Sequence, residues 1–437
     1  MVYRAGLIGC GGVSASHSRG LQAARGVELV ALADVYAPNL ETAGEAYGVE
    51  RRYSDYREMI ERERLDLIAI CTQAPQHAPI AIHAAEMGVK GILCEKPVAL
   101  TLAEADAMLH ACARSGTRLA INHQTRMIPS TFLVERLLKE GAIGELRAIR
   151  MIDKGGRPAG NSLMELLTHV FDLARIYAGD PAWVSAHFTV GVEGSRPAKP
   201  EAPQRLATID DVVYSQTAWP RDRDCGLVLG DRCAAIFGFG PREGWHRGLT
   251  AGMDSYFQPI RSATTGEPAQ PNVELLGTDG VLFLGGTSGR VDVYLHRGPW
   301  APPGKMERCD PPRGTQSLRS FEFRGGPGEA PAREIAPGPY AARGAQAPHH
   351  TAMVEELVAA VEERREHRSS GVDGRWALEM IMGTYESHRR GGARVALPLK
   401  ERDHPLERWL REEGRALPPK PEAAVKALRS PGPPPVG

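Results

Sequence analysis

The chain has 437 residues, enough for two domains that each bury a core of their own. Apolar residues make up 42% of it and charged residues 24%, and 53 basic side chains balance 53 acidic ones. That balance gives no electrostatic case for nucleic acid or a membrane surface, and no apolar run approaches the roughly 18 residues that span a bilayer. The seven cysteines (10, 71, 94, 112, 225, 233 and 309) are odd in number and include no C-x-x-C pair. They read as reduced thiols rather than a disulfide framework or a zinc site. With a glycine loop directly after the N-terminus and no signal h-region, a cytoplasmic protein is the expectation.

The first 120 or so residues alternate short β-branched runs with helical patterns, which predicts a parallel sheet. Its strands are Tyr3–Ile8, 28–33, 65–71, Gly91–Cys94 and Arg118–Ile121, with helices over 38–47 and 79–87. A helix over 131–139, a strand over 148–152, a glycine-rich loop and a helix over 163–178 follow. Extended runs at 182–190, 211–218, 225–229, 234–239, 273–277, 281–284 and 291–295 predict a mainly antiparallel sheet of six or more strands. Residues 298–344 are rich in Pro, Gly and Arg and read mostly as loop. Helical periodicity returns at 352–366 and 374–389, and a short helix over Pro405–Glu412 precedes a Pro-rich tail. The expected fold is an α/β Rossmann domain (1–123), an α+β domain with a large open-faced sheet (124–400) and a C-terminal extension (401–437).

The first strand runs into Gly9-Cys10-Gly11-Gly12-Val13-Ser14, a G-x-G-x-x-[small] turn. Gly9 makes the tight turn, Gly11 admits backbone to a pyrophosphate, and a small residue at 14 lets the helix pack close. Gly12 and Val13 lead into a helix N-terminus whose free N–H groups suit phosphate. Glycine-rich turns are common, and the strand–turn–helix context is what makes this one a dinucleotide site. Asp34 closes the second strand, where a carboxylate accepts ribose hydroxyls and repels a 2′-phosphate. Val35 and Tyr36 supply no cation, so NAD is expected over NADP. The fourth predicted strand ends in Glu95-Lys96-Pro97, at the carboxyl edge where open parallel sheets bind ligands. On residue type alone, a solvated Glu–Lys pair and a proline opening the next helix are the better readings.

The glycine turn, Cys71-Thr72 with His77, Glu95-Lys96-Pro97 and a later helix carrying His169 together resemble the Gfo/Idh/MocA family. The likeness continues through Gly141-Ala-Ile-Gly144-Glu-Leu146, Val273-Glu-Leu-Leu-Gly277 and Val395-Ala-Leu-Pro398-Leu399. The resemblance implies an NAD-binding Rossmann domain, an open-sheet second domain, and a lysine and a histidine beside the nicotinamide. Carried over by motif, these are Lys96 and His169, with Glu95, Thr72 and His77 near the cofactor. Two departures stand out. The usual Asp-x-Gly-x-His is Glu165-Leu-Leu-Thr-His169, and the common Thr-Pro-Asn is Thr72-Gln73-Ala74.

Read by itself, the helix with His169 carries Leu163, Leu166, Val170, Leu173 and Tyr177 on an inward face. Glu165, His169 and Asp172 share another. Ser162-x-x-Glu165 fits a capping box, so Glu165 is expected to cap the helix and partly to orient His169. Alcohol oxidation needs a proton acceptor and something to stabilise an alkoxide. Histidine, with a reference pKa of about 6.5, suits the first task and lysine the second. Arg126 and Lys154 are candidates for substrate hydroxyls or for salt bridges; Asp172 either binds a hydroxyl or pairs with Arg126 or Arg175. His349-His350 suggests a metal pair, but no carboxylate stands at ligand spacing, so no metal is expected.

These readings predict an NAD-dependent dehydrogenase or reductase acting on a sugar, polyol or related cyclic alcohol. A glycoside hydrolase that oxidises its sugar transiently, and a non-catalytic NAD(H)-binding sensor, are the alternatives. An apolar open sheet predicts a homodimer or homotetramer.

Overall fold

The computed structural model describes residues 2–153, 157–191, 204–218, 223–241, 248–255, 272–285, 290–295, 316–322, 333–335 and 349–421. Side chains are not described for residues 254, 255, 272, 285, 290–295, 316–322 and 333–335. Six parallel strands form the first sheet: β1 (Tyr3–Ile8), β2 (Val27–Ala33), β3 (Arg51–Tyr53), β4 (Leu67–Ile70), β5 (Gly91–Cys94) and β6 (Arg118–Ile121). Their spatial order is β3-β2-β1-β4-β5-β6. The order in which strands are added therefore reverses between β1 and β4, the crevice where doubly wound sheets take ligands. β4 and β5 are buried along their whole length, the continuous apolar character that parallel strands covered on both faces require.

Helices α1 (Ser14–Ala23), α2 (Ala37–Tyr47), α3 (Tyr56–Glu63), α4 (His77–Glu86) and α5 (Leu102–Ser115) connect these strands. Thr101 caps α5 in a reciprocal box with Glu104, and Gly116 ends it in the left-handed region. The sequence reading missed β3, a three-residue edge strand of exposed and half-buried side chains with no apolar alternation. The helix His349–Glu362 returns from far along the chain to this sheet, where Met353, Val354 and Leu357 pack with Leu7, Leu21 and Leu93.

Among the described residues the second sheet has eleven strands. In spatial order these are Arg333–Ile335, Gln316–Glu322, Arg290–Leu295, Gly280–Gly285, Asn272–Gly277, Leu146–Ile152, Leu249–Ser255, Arg232–Phe239, Pro181–Val190 and Val395–Ala396, with Arg205–Leu206 paired to the edge of Pro181–Val190. All its described pairings are antiparallel except that of Leu146–Ile152 with Leu249–Ser255. Helices Thr168–Ala178 and Gly371–Arg389 cover one face, where Phe171 meets Phe237 and Phe188 stacks on Tyr385. On the other face Ile236 is 51% exposed. Two predicted runs do not join this sheet. Among the described residues Val213–Tyr214 and Leu227–Val228 pair only with each other, and Ser215–Ala218 turns helical. The strand over Leu249–Ser255 was not read from the sequence, because Gly252 and the polar residues at its ends hide its apolar face.

Candidate active site

The glycine turn begins at Gly9, whose φ of +93° suits glycine, and a Cβ there would lie 2.8 Å from the Cys71 and Thr72 backbone. At Gly11 and Gly12 a Cβ would meet nothing within 4 Å. This is open space on the side where a pyrophosphate would approach. Helix α1 starts with no side-chain cap, so its first N–H groups are not claimed by a capping side chain at Val13. Ser14 Oγ instead donates to the Gly11 carbonyl at 2.6 Å and meets the Tyr47 hydroxyl at 2.8 Å. Asp34 holds the turn from the side. Its Oδ2 accepts the Cys10 N–H at 2.6 Å and its Oδ1 the Tyr36 N–H at 2.8 Å. Each oxygen keeps a further lone pair for ribose hydroxyls.

At the tip of β5, Glu95 is almost fully buried, and the Lys96–Pro97 peptide is cis. Glu95 Oε1 lies 2.7 Å from His17 Nε2 and accepts from Asn122 Nδ2 at 2.6 Å, while Oε2 faces Arg223 at 3.7 Å. Burial alone would raise the Glu95 carboxyl. The His17 hydrogen bond and the charges of His17, Lys96 and Arg223 outweigh that and hold it well below the usual carboxylate range. His77 sits behind this tip, with Nδ1 2.8 Å from the Pro97 carbonyl and Nε2 3.2 Å from the Thr72 carbonyl. His77 thus sits between two loops of the cleft, and burial lowers its imidazole toward the neutral form, which donates to one of these carbonyls at a time. Thr72 Oγ1 is buried and has no partner among the described residues.

Lys96 Nζ donates to the Glu165 carbonyl at 2.7 Å and to Glu165 Oε2 at 3.0 Å. The expected capping role of Glu165 is corrected here. The helix begins earlier, at Ala159–Ser162, and Ser162 makes no cap. A π-helical turn over Leu163–Leu167 displaces carbonyls from the i→i+4 pattern, and Glu165 uses both its carbonyl and its carboxylate on Lys96. Its Oε1 accepts from Cys225 Sγ at 3.2 Å. Burial would raise Glu165, yet Lys96 and Arg223 keep it below its usual range. No described hydrogen bond joins Glu165 to His169.

His169 follows the π turn with its ring edge-on to His123, centroids 5.3 Å apart. Its Nδ1 is buried and without a partner among the described residues. Burial, then His123 and Lys96, push its imidazole well below the usual histidine value, against weaker pulls from Glu95 and Asp172. The expectation that His169 titrates near neutrality is thereby corrected. That environment favours the neutral imidazole over the imidazolium. Burial and Arg126 likewise lower His123, to about 3.

Arg126 and Asp172 pair with each other. Arg126 Nε and Nη2 each donate to Asp172 at 2.7 Å, and Nη2 also reaches Asp373 at 3.0 Å. Asp172 is fully buried, so this bidentate pair is a brace behind His123. Burial would lower Arg126, but Asp172 and Asp373 hold it above its usual range. Lys154 lies outside the described residues.

The sequence reading missed Arg223, Asn122, His17 and the role of Gln73. Gln73 Oε1 accepts the Asp224 N–H at 3.0 Å, so the residue that departs from the common Thr-Pro-Asn anchors the segment carrying Arg223. None of these side chains stands at a telling spacing from Lys96; only the topology brings them together.

The family model described as an oxidoreductase family with an NAD-binding Rossmann fold matches residues 3–123. The chain is 38% identical over 195 residues to D-apiose dehydrogenase from Paraburkholderia graminis, covering 42% of this chain and 52% of that protein. It is 27% identical over 185 residues to myo-inositol 2-dehydrogenase from Thermotoga maritima, covering 40% and 55%. The matches span about half the length of these relatives. A solved levoglucosan dehydrogenase in complex with NADH and levoglucosan superposes with a TM-score of 0.66 at 20% identity, covering 91% of this chain and all of that one, which shows a shared fold. The glycine turn, the Asp34 clasp and the Glu95-Lys96-Pro97 tip all lie within the matched segment, so residues 3–123 are similar to the NAD-binding Rossmann fold of that oxidoreductase family.

Proposed function

We propose that the chain is an NAD-dependent oxidoreductase that oxidises a secondary alcohol of a sugar or polyol, or reduces the matching ketone. The observation that carries this reading is the meeting of Lys96, from the tip of the nucleotide-binding sheet, with the π turn that precedes His169. The open faces of Gly11 and Gly12, the Asp34 carboxylate and the unpartnered Thr72 hydroxyl fit a bound dinucleotide. When bound, NAD supplies the hydride acceptor at its nicotinamide ring.

An ammonium has three N–H donors, and Glu165 takes two of those on Lys96. The third is left for a substrate oxygen, where the charge stabilises an alkoxide as it develops. Glu165 fixes the direction of that donor. His169, neutral in its buried setting, offers a lone pair to the hydroxyl proton and returns it in the reductive direction. The relatives named for apiose, inositol and levoglucosan support a polyhydroxylated substrate.

NADH absorbance across a panel of sugars, polyols and sugar acids tests this reading. Turnover is expected with at least one cyclic polyol or sugar, and with kcat/KM higher for NAD than for NADP because Asp34 repels a 2′-phosphate. Tight NAD binding with no turnover on any member would contradict the activity. A clear NADP preference would contradict the role given to Asp34.

A further inference from the structure

One buried cluster is left over by this chemistry. His17 on α1, Glu95 on β5 and His350 at the start of helix His349–Glu362 place one ligand-type atom each within 4.8 Å of one another. Asn122, just beyond β6, stands among them. Its Nδ2 is 2.6 Å from Glu95 Oε1, 3.2 Å from His350 Nε2 and 3.3 Å from His17 Nε2. Two N–H bonds thus face three acceptor positions, while Asn122 Oδ1 is buried with no partner among the described residues. The two ends of an amide have the same shape, and a half-turn exchanges them. With Oδ1 turned inward, two imidazole nitrogens, a carboxylate oxygen and an amide oxygen converge on one point. Four lone pairs gathered away from water call for a cation.

We propose that His17, Glu95, His350 and Asn122 bind a divalent first-row transition-metal ion, zinc being the best fit, beneath the dinucleotide turn. The donor set of imidazole and oxygen suits zinc, cobalt or iron better than magnesium or calcium, which prefer oxygen alone. Bonds of about 2.0–2.1 Å in a tetrahedral site place neighbouring ligand atoms roughly 3.3 Å apart. Four of the six separations, 2.6, 2.7, 3.2 and 3.3 Å, approach that value, the two short ones being hydrogen bonds, and the two pairs His350 makes with Glu95 and His17 lie within 4.8 Å. Glu95 Oε1 serves this cluster while Oε2 faces Arg223, so the carboxylate need not abandon one partner for the other.

The fold also makes a specific allowance for His350. A Cβ at Gly20, one turn beyond His17 on α1, would lie 2.8–3.0 Å from the Cβ, C and O of His350. Only glycine lets the two helices meet this closely, and that contact seats His350 beside His17, with ring centroids 4.9 Å apart. The sequence offered the histidine pair at 349–350 without a carboxylate at ligand spacing; the topology supplies one from β5. An ion here would tie α1, β5, β6 and the returning helix together at the base of the cofactor cleft.

The test uses the full chain without a histidine tag and needs no turnover, so its outcome is independent of the proposed activity. Metal analysis after dialysis should find about one equivalent of a transition metal per chain. After chelation, titration with Co²⁺ should give the visible absorption of a four-coordinate ion, saturating at about one equivalent and displaced by Zn²⁺. The band should be lost in His350→Gln and in Gly20→Ala, which moves the His350 helix without removing a ligand, and retained in His349→Gln. Circular dichroism identifies any variant that fails to fold, and the stoichiometry in the parent chain stands without the variants. A purified chain with less than about a tenth of an equivalent that gives no Co²⁺ band overturns the proposal. A band unchanged in folded His350→Gln overturns it too.

Discussion

His169→Ala is expected to lower kcat by about 10²–10⁴-fold, with a much smaller change in KM, because the imidazole moves a proton in the transition state and contributes little to ground-state binding. Lys96→Met should lower kcat by a comparable factor, since it removes the donor aimed at the developing alkoxide. The pH profile of the parent enzyme sharpens this. The imidazole is pushed well below its ordinary value by burial, His123 and Lys96, so it stays unprotonated as pH falls through about 6.5. kcat/KM for alcohol oxidation should therefore stay level between about pH 7 and pH 6, where an unshifted histidine base would already cost activity. Near-parental kcat in His169→Ala would remove the residue from the mechanism, and a limb centred near 6.5 would show that its environment is more solvated than the fold indicates.

The second large effect is on stability. Asp172→Ala should destabilise the chain by about 3–5 kcal/mol, because it strips a fully buried bidentate partner from Arg126 and leaves the guanidinium with Asp373 as its remaining carboxylate. Urea unfolding measures this, and Glu58→Ala is the control. The Glu58–Arg62 pair is solvent-exposed, with side chains 43% and 68% accessible, and its loss should shift stability by no more than about 0.5 kcal/mol. A change of similar size in both variants would mean that the Arg126 cluster is open to water.

What the sequence made legible follows the range of the interactions involved. The glycine turn could be read because its requirement is local: a positive φ at Gly9 and a backbone too close for any Cβ. Asp34 could be read from its place at the end of β2. Lys96 and His169 were found through a resemblance, and nothing in their own spacing marks them. The Ser162–Glu165 pattern shows how a local signal fails, since a capping box is available on paper but a half-buried lysine 69 positions away takes the carboxylate. By sequence Asp172 fits a hydroxyl ligand or an ion-pair partner, and the fold pairs it with Arg126. Arg223, Asn122 and His17 were invisible because their partners come from other strands and loops, and β3 because three half-exposed residues carry no periodicity.

The central claim is that an amine from the tip of β5 and an imidazole from the second domain act on one substrate oxygen. A crystal structure of the chain with NADH and the best polyol from the panel tests it most directly. Lys96 Nζ and one nitrogen of His169 should each lie within about 3.2 Å of the same hydroxyl, with its carbon facing the nicotinamide. A pose in which the two groups contact different oxygens, or in which either side chain points away from the ring, would contradict it.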